Sequence, residues 1–430
     1  MRLLVILCFV ISLLGSCNRS NDEQPPEITI IQPTSIINAS TYDTLHLELK
    51  FTDNEQLTEY VVRVVNTSLV PVFPSVVQSL SGREQIVSLN YLLNDPRVTS
   101  GNCYIEVQLS DGFNTVRKFT QLQFSQVPRA LKGLCFVTQP QAFQTNVYRA
   151  DTSWQPQLLA QYNHDFGDMA LSSWWQQIYI SGSNNGTLHS EPLSTEVSPW
   201  QITVPQGPPA AWRSLCEFDR RLWAAQYGDE KVRAFESNGV SAFNVSCGAG
   251  MRPYKIARTG RYAVTAEQDA SATLRQVAVY DALNGGALQQ YPLAIDVVDI
   301  VPNDSVSVFV YGNNAGQGYI YLYDCFANTI WQPYTLPAGT LLISACKVNN
   351  NTQLLSFTNG TISTFTMNPI GVIPWHTGTL AQVIRYDPEN NFVFAAEGSF
   401  INIYNYSGAQ LIQTVPAAST VVDFELWHNR

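Results

Sequence analysis

The chain has 430 residues, of which 45% are hydrophobic and only 13% charged, a balance that suits a large packed core and excludes an intrinsically disordered chain. Its 34 acidic and 24 basic side chains give a formal charge of −10, which excludes the basic footprint that nucleic-acid binding requires. The length allows two or three domains.

Residues 1–17 read as a targeting segment: Arg2 is followed by an apolar run over 3–14 and then by Leu14-Gly15-Ser16-Cys17. This ending resembles the lipobox of bacterial lipoproteins, although Gly15 stands where Ala or Ser is commoner. The resemblance implies cleavage before Cys17 and acylation of that cysteine. No Asp follows Cys17, which by the same resemblance implies an outer-membrane lipoprotein, periplasmic or surface-exposed. An ordinary cleaved signal is the alternative, and the segment is short for a membrane span. Residues 18–26, NRSNDEQPP, read as a polar linker in which Asp22 and Glu23 are solvated charges.

Residues 27–126 form a second segment with short alternating strands expected at 28–31, 44–51, 58–65, 85–91, 104–109 and 115–124. Leu45, Leu47 and Leu49 alternate with His46, Glu48 and Lys50, and Asp111-Gly112 supplies a hairpin turn. The runs PPEITIIQP and TLHLELKFTDNEQLTEYVVRV resemble the Ig- or cadherin-like modules of bacterial surface lipoproteins, which implies an Ig-like β-sandwich acting as a spacer. Asp53-Asn54-Glu55 lacks the spaced carboxylates of a calcium loop and reads as a turn.

From residue 129 onward the chain repeats. Short apolar runs begin at Leu134, Ile178, Leu222, Tyr262, Val306, Leu354 and Phe392, each after a polar turn and about 40–45 residues apart, the period of a four-stranded propeller blade. The clearest repeat predicts strands at 382–386, 392–396, 400–406 and 410–415. Residues 343–367 are the least regular. The first repeat lacks an initial strand in 124–129, whereas 419–427 form an initial strand with no repeat after it. Joining the two predicts a seven-bladed β-propeller over 129–430, closed by the C-terminal strand, with six or eight blades if a weak segment is misread. The pattern resembles WD40- and quinoprotein-like propellers. The expected fold class is therefore all-β, an Ig-like β-sandwich followed by this propeller.

Catalytic signatures are missing from the sequence. His46, His164, His189, His376 and His428 lie outside metal-ligand spacing, and neither a GxSxG elbow nor a Walker loop occurs. No cofactor or metal is expected. Cys103, Cys135, Cys216, Cys247, Cys325 and Cys346 include no CxxC pair and read mostly as buried thiols. Trp174, Trp175 and Trp223 fall in strand runs and read as core. Asp229-Glu230 and Asp296/Asp299 are the nearest carboxylate pairs. The loops of one propeller face carry His164, Trp212, Arg213, Tyr227, Asp229, Arg252, Glu267 and His376, aromatic and polar groups that together suit a glycan or protein ligand. The expectation is a membrane-anchored, non-catalytic binding protein. The alternative is a polysaccharide lyase or glycoside hydrolase whose carboxylates come from different blades.

Overall fold

A computed structural model describes residues 22–194, 198–205 and 210–430. The targeting segment with Cys17 and linker residues 18–21 lie outside the described residues. Every regular element among the described residues is a β-strand, and the chain divides after Pro128 into two compact units.

The first unit contains β1 (Glu27–Gln32), β2 (Ile37–Ser40), β3 (Thr44–Thr52), β4 (Glu59–Asn66), β5 (Val76–Ser79), β6 (Glu84–Leu92), β7 (Gly101–Ser110) and β8 (Thr115–Ser125). Two sheets, β1-β3-β6 and β2-β8-β7-β4-β5, enclose one apolar core. The alternation in β3 sets the faces: Leu45, Leu47, Leu49 and Phe51 are buried, and the intervening His46, Glu48 and Lys50 are not. On β7, buried Glu106 is held by Arg63 at 2.8 and 2.9 Å, with Arg117 at 3.4 Å, so its charge is paired. The six expected strands are present. The two extra ones, β2 and β5, are four-residue edge strands too short to show a period.

Among its described residues the second unit holds seven four-stranded antiparallel sheets. Their first strands are Asp168–Ser172, Ser214–Phe218, Arg252–Thr259, Asp296–Pro302, Leu342–Asn349, Val383–Asp387 and Val421–His428. Each packs beside the next. Val421–His428 closes the ring by packing beside both Val383–Asp387 and Asp168–Ser172 while hydrogen-bonding to Leu131–Gln141, with Phe424 opposite Phe136 and Leu426 opposite Leu134. This is a β-propeller, and the closure removes the free sheet edges an open row would expose.

Second strands lie between neighbouring sheets, which explains their continuous apolar runs: Ile178, Ile180, Val264, Phe394, Ala395 and Ala396 have no exposed surface. Fourth strands form the rim, and Ala287–Pro292 is exposed throughout. Trp223 is core as expected. Trp174 and Trp175 instead sit in the turn after Asp168–Ser172, where the Arg220 guanidinium lies 3.7 Å from the Trp174 ring centroid and the Trp175 indole donates to the Arg220 carbonyl. All six described cysteines are free thiols: Cys103, Cys135, Cys325 and Cys346 are buried, Cys216 and Cys247 partly so.

Candidate functional site

The first strands surround a central channel with a cavity of about 580 Å³. A polar link crosses every junction between neighbouring first strands. Asp168 Oδ2 accepts the Leu215 amide at 2.7 Å, Ser214 Oγ the Ile256 amide at 3.3 Å, and the Tyr254 hydroxyl the Val297 amide at 3.0 Å. Asp299 Oδ2 accepts the Ala345 amide at 3.3 Å, and Ser344 Oγ the Ile384 amide at 3.4 Å. Arg385 donates to Glu425 at 2.6 Å, and Asp168 and Asp423 bring their carboxyls close enough to couple. The first five of these links satisfy amides at strand edges where neighbouring sheets splay apart.

Burial raises the pKa of both Asp168 and Asp423, and their proximity lets one proton serve the pair. Burial also lifts Glu217 to about 7 against the Ser172 hydroxyl that donates to it, and pushes the Cys346 thiol up to about 12. Burial opposes the charge of Arg385, but Glu425 and Asp423 keep it firmly protonated. Arg258 lies 4.4 Å from the Trp223 ring centroid and 4.9 Å from that of Phe218.

The Asp168–Asp423 pair does not have the geometry of a glycosidase. Asp168 also accepts the Met169 amide, and Asp299 the Ile300 amide, so each oxygen of both groups already accepts one backbone amide. A glycosidase needs carboxyls about 5–10 Å apart to leave room for sugar and water, whereas Asp168 and Asp423 are in contact. The sequence reading missed these residues. The available signal was the recurrence of Asp168, Ser214, Tyr254, Asp299 and Ser344 near the start of successive first strands.

On the loop face the structure brings together three of the expected residues. The Arg213 and Arg252 guanidiniums lie 5.2 and 5.5 Å from the Tyr227 ring centroid, and the Tyr227 hydroxyl accepts Gln268 at 3.1 Å. Arg213 is exposed and Arg252 partly so, reaching Glu230 at 3.5 Å, whereas Tyr227, expected as a surface aromatic, is buried with only 7% of its surface exposed. Asp229 is exposed nearby and accepts Gln226 at 2.7 Å. Residues 206–209 of the loop before Arg213 lie outside the described residues.

The other expected contacts are corrected. Trp212 has no exposed surface: it packs in the interior and donates to the Gly186 carbonyl at 3.1 Å. Gly186 has φ +79°, and a Cβ there would lie 2.4 Å from the Val204 carbonyl, so the turn that seats the indole requires glycine. Glu267 is wholly buried and accepts Tyr280, Thr265 and Gln276. His164 is buried, stacked on Tyr162 and His189. His376 lies in another sheet against Tyr404, 4.6 Å between ring centroids, away from the Arg213 group.

No family model matches the chain, and no curated protein does. Solved structures do. A protein from Lactobacillus plantarum is 12% identical and aligns over 69% of this chain and 99% of its own, with TM-score 0.52. A functionally unknown protein from Desulfotomaculum acetoxidans is 13% identical over 69% and 100%, with TM-score 0.50. A quinoprotein alcohol dehydrogenase-like protein from Bacteroides thetaiotaomicron is 13% identical over 94% and 99%, with TM-score 0.48. At these identities the likeness is one of fold alone.

Proposed function

We propose that this protein is a lipid-anchored envelope protein in which an Ig-like spacer carries a seven-bladed propeller that binds a protein partner or a glycan without catalysis. The lipobox-like Cys17 supports the anchor and an outer-membrane address. The two-sheet sandwich supports the Ig-like reading, and the seven four-stranded sheets support the blade number. One observation carries the binding role: Arg213 and Arg252 flank Tyr227 on the loop face, while Asp168 and Asp299 in the channel accept backbone amides. Two guanidiniums beside an aromatic ring suit a carboxylate-bearing glycan or an acidic peptide.

The test is a glycan array together with a pull-down from membranes, using wild type and the Arg213→Ala/Arg252→Ala double variant. Retention by wild type and loss in the double variant are expected. Turnover of a polysaccharide by the purified protein, abolished by a single carboxylate substitution, would replace this reading with the enzymatic one.

A further inference from the structure

The first unit carries a cluster that the propeller reading does not use. Asp22, Asp53 and Asp111 each bring a carboxylate oxygen within 4.8 Å of the other two. They come from the lead-in to β1, the turn after β3 and the turn after β7. Asp22 is not a solvated linker charge, because only 8% of its surface is exposed. Its Oδ1 accepts the Gln24 amide at 3.0 Å and Asn54 Nδ2 at 3.1 Å, while its Oδ2 is buried with no hydrogen-bond partner. Asp53 repeats the pattern: Oδ2 accepts the Glu55 and Gln56 amides at 2.7 and 2.9 Å, and Oδ1 is buried and unpartnered. Asp111 is buried and accepts the Phe113 and Asn114 amides. Asn114 Nδ2 donates both to Asp111 Oδ2 and to the Asp22 carbonyl, tying the third loop to the first.

A buried carboxylate oxygen without a donor is costly, and three converging carboxylates repel one another. The ion pairs of this unit, Lys50–Glu84, Arg63–Glu106–Arg117 and Arg97–Asp95, leave the trio untouched among the described residues. A positive charge is the missing component. We propose that Asp22, Asp53 and Asp111 form a calcium site that fastens the lead-in segment to two loops of the first unit. The donors are all hard oxygens. Their arrival from three separate loops suits calcium, which takes carboxylate oxygens in flexible geometry, better than magnesium, which demands near-octahedral order and keeps several waters. The sequence hid the site because Asp53 is alone in its run and its partners fold in from far along the chain.

The test uses the full chain stripped with a chelator and titrated calorimetrically with Ca²⁺ and, separately, Mg²⁺. Expected are one Ca²⁺ per chain, a dissociation constant of roughly 10⁻⁴ M or tighter as in extracellular modules, at least tenfold weaker Mg²⁺ binding, and Ca²⁺-dependent protection from proteolysis near Asp22. Asp22→Asn and Asp53→Asn should each weaken Ca²⁺ binding at least tenfold. Asp53→Asn keeps a side-chain oxygen for the Glu55 and Gln56 amides, so its fold, checked by circular dichroism, is preserved. Wild type that takes up no Ca²⁺ and gains no protection overturns the site, as does Ca²⁺ binding that survives both substitutions.

Discussion

The imidazole Nε2 of His428 lies 3.2 Å from Asp387 Oδ1, and both side chains are buried. This contact fastens the end of the closing strand to the end of the neighbouring first strand. Around it, Arg129 meets His428 Nδ1 at 3.1 Å, Ser173 Oγ accepts the His428 amide at 3.0 Å, and Gln176 donates to the His428 carbonyl at 2.9 Å. The C-terminal strand is thereby pinned to elements on both sides of the ring closure.

His428→Ala removes a principal partner of Asp387 and is expected to cost about 2–3 kcal/mol, because a buried carboxylate loses its contact. Burial works against the charge on Asp387, but His428 and the Asn390 amide at 2.6 Å hold its pKa below the usual carboxylate range. A depressed folded pKa gives stability that is complete above the unfolded value near 3.9 and lost as pH falls through the folded one. Thermal melts at pH 7 should show the His428→Ala loss. Asp387→Asn should flatten the acid limb below about pH 4; an unchanged acid limb rules out this role for Asp387.

Deleting residues 421–430 should abolish the cooperative melt of the second unit. Val421 and Phe424 have no exposed surface and lie in the core shared with Phe394 and Phe136. Their removal strips that core and bares the edge of Leu131–Gln141. The expected readout is aggregation in light scattering with lost near-ultraviolet dichroism. A truncated chain that melts like the full one would mean that the closing strand contributes nothing to stability.

The repeat was legible because second strands are sandwiched and therefore apolar throughout: GLCFVTQ, NFVFAAEG and their equivalents announce themselves at a fixed spacing. The unmatched strand at 419–427 was legible because it continued the repeat with a first strand and no blade after it. Chemistry was less so. Loop position foretold the exposure of Arg213, whereas Arg252 is only partly exposed and Tyr227 is buried. Trp212, read from the same kind of loop, is folded under its own turn, and Glu267, also read as loop, lies within the buried strand Tyr262–Gln268. The Asp168–Asp423 contact joins residues at opposite ends of the propeller sequence, and only ring closure brings them together.

Glu217 provides a pH signature at the channel. Burial raises its pKa to about 7, above the unfolded value near 4.3. The fold therefore holds its proton more tightly than the unfolded chain does. That contribution is complete below the unfolded pKa and is lost as pH rises to about 7, leaving a cost of at most about 4 kcal/mol at higher pH. Glu217→Gln keeps an acceptor for the Ser172 hydroxyl and removes the titration. The variant should melt higher than wild type at pH 8 and close to it at pH 4.5. Equal melting temperatures at both pH values would show that Glu217 is solvated.

Trp212 and its neighbour Arg213 separate core from surface at adjacent positions. Trp212 is enclosed by Leu188, Ala211 and Phe235, the last at 6.3 Å between ring centroids, so Trp212→Ala should cost about 3–5 kcal/mol through the cavity left behind. Arg213 is exposed and stacks only on Tyr227, so Arg213→Ala should change stability by less than about 1 kcal/mol. If the loop face binds as proposed, Arg213→Ala weakens ligand retention about tenfold without moving the melt, whereas Trp212→Ala lowers the melt and reduces retention only in proportion to the unfolded fraction. Paired denaturation and binding curves distinguish the two. A Trp212→Ala protein that melts normally but fails to bind would show that the indole reaches the ligand after all.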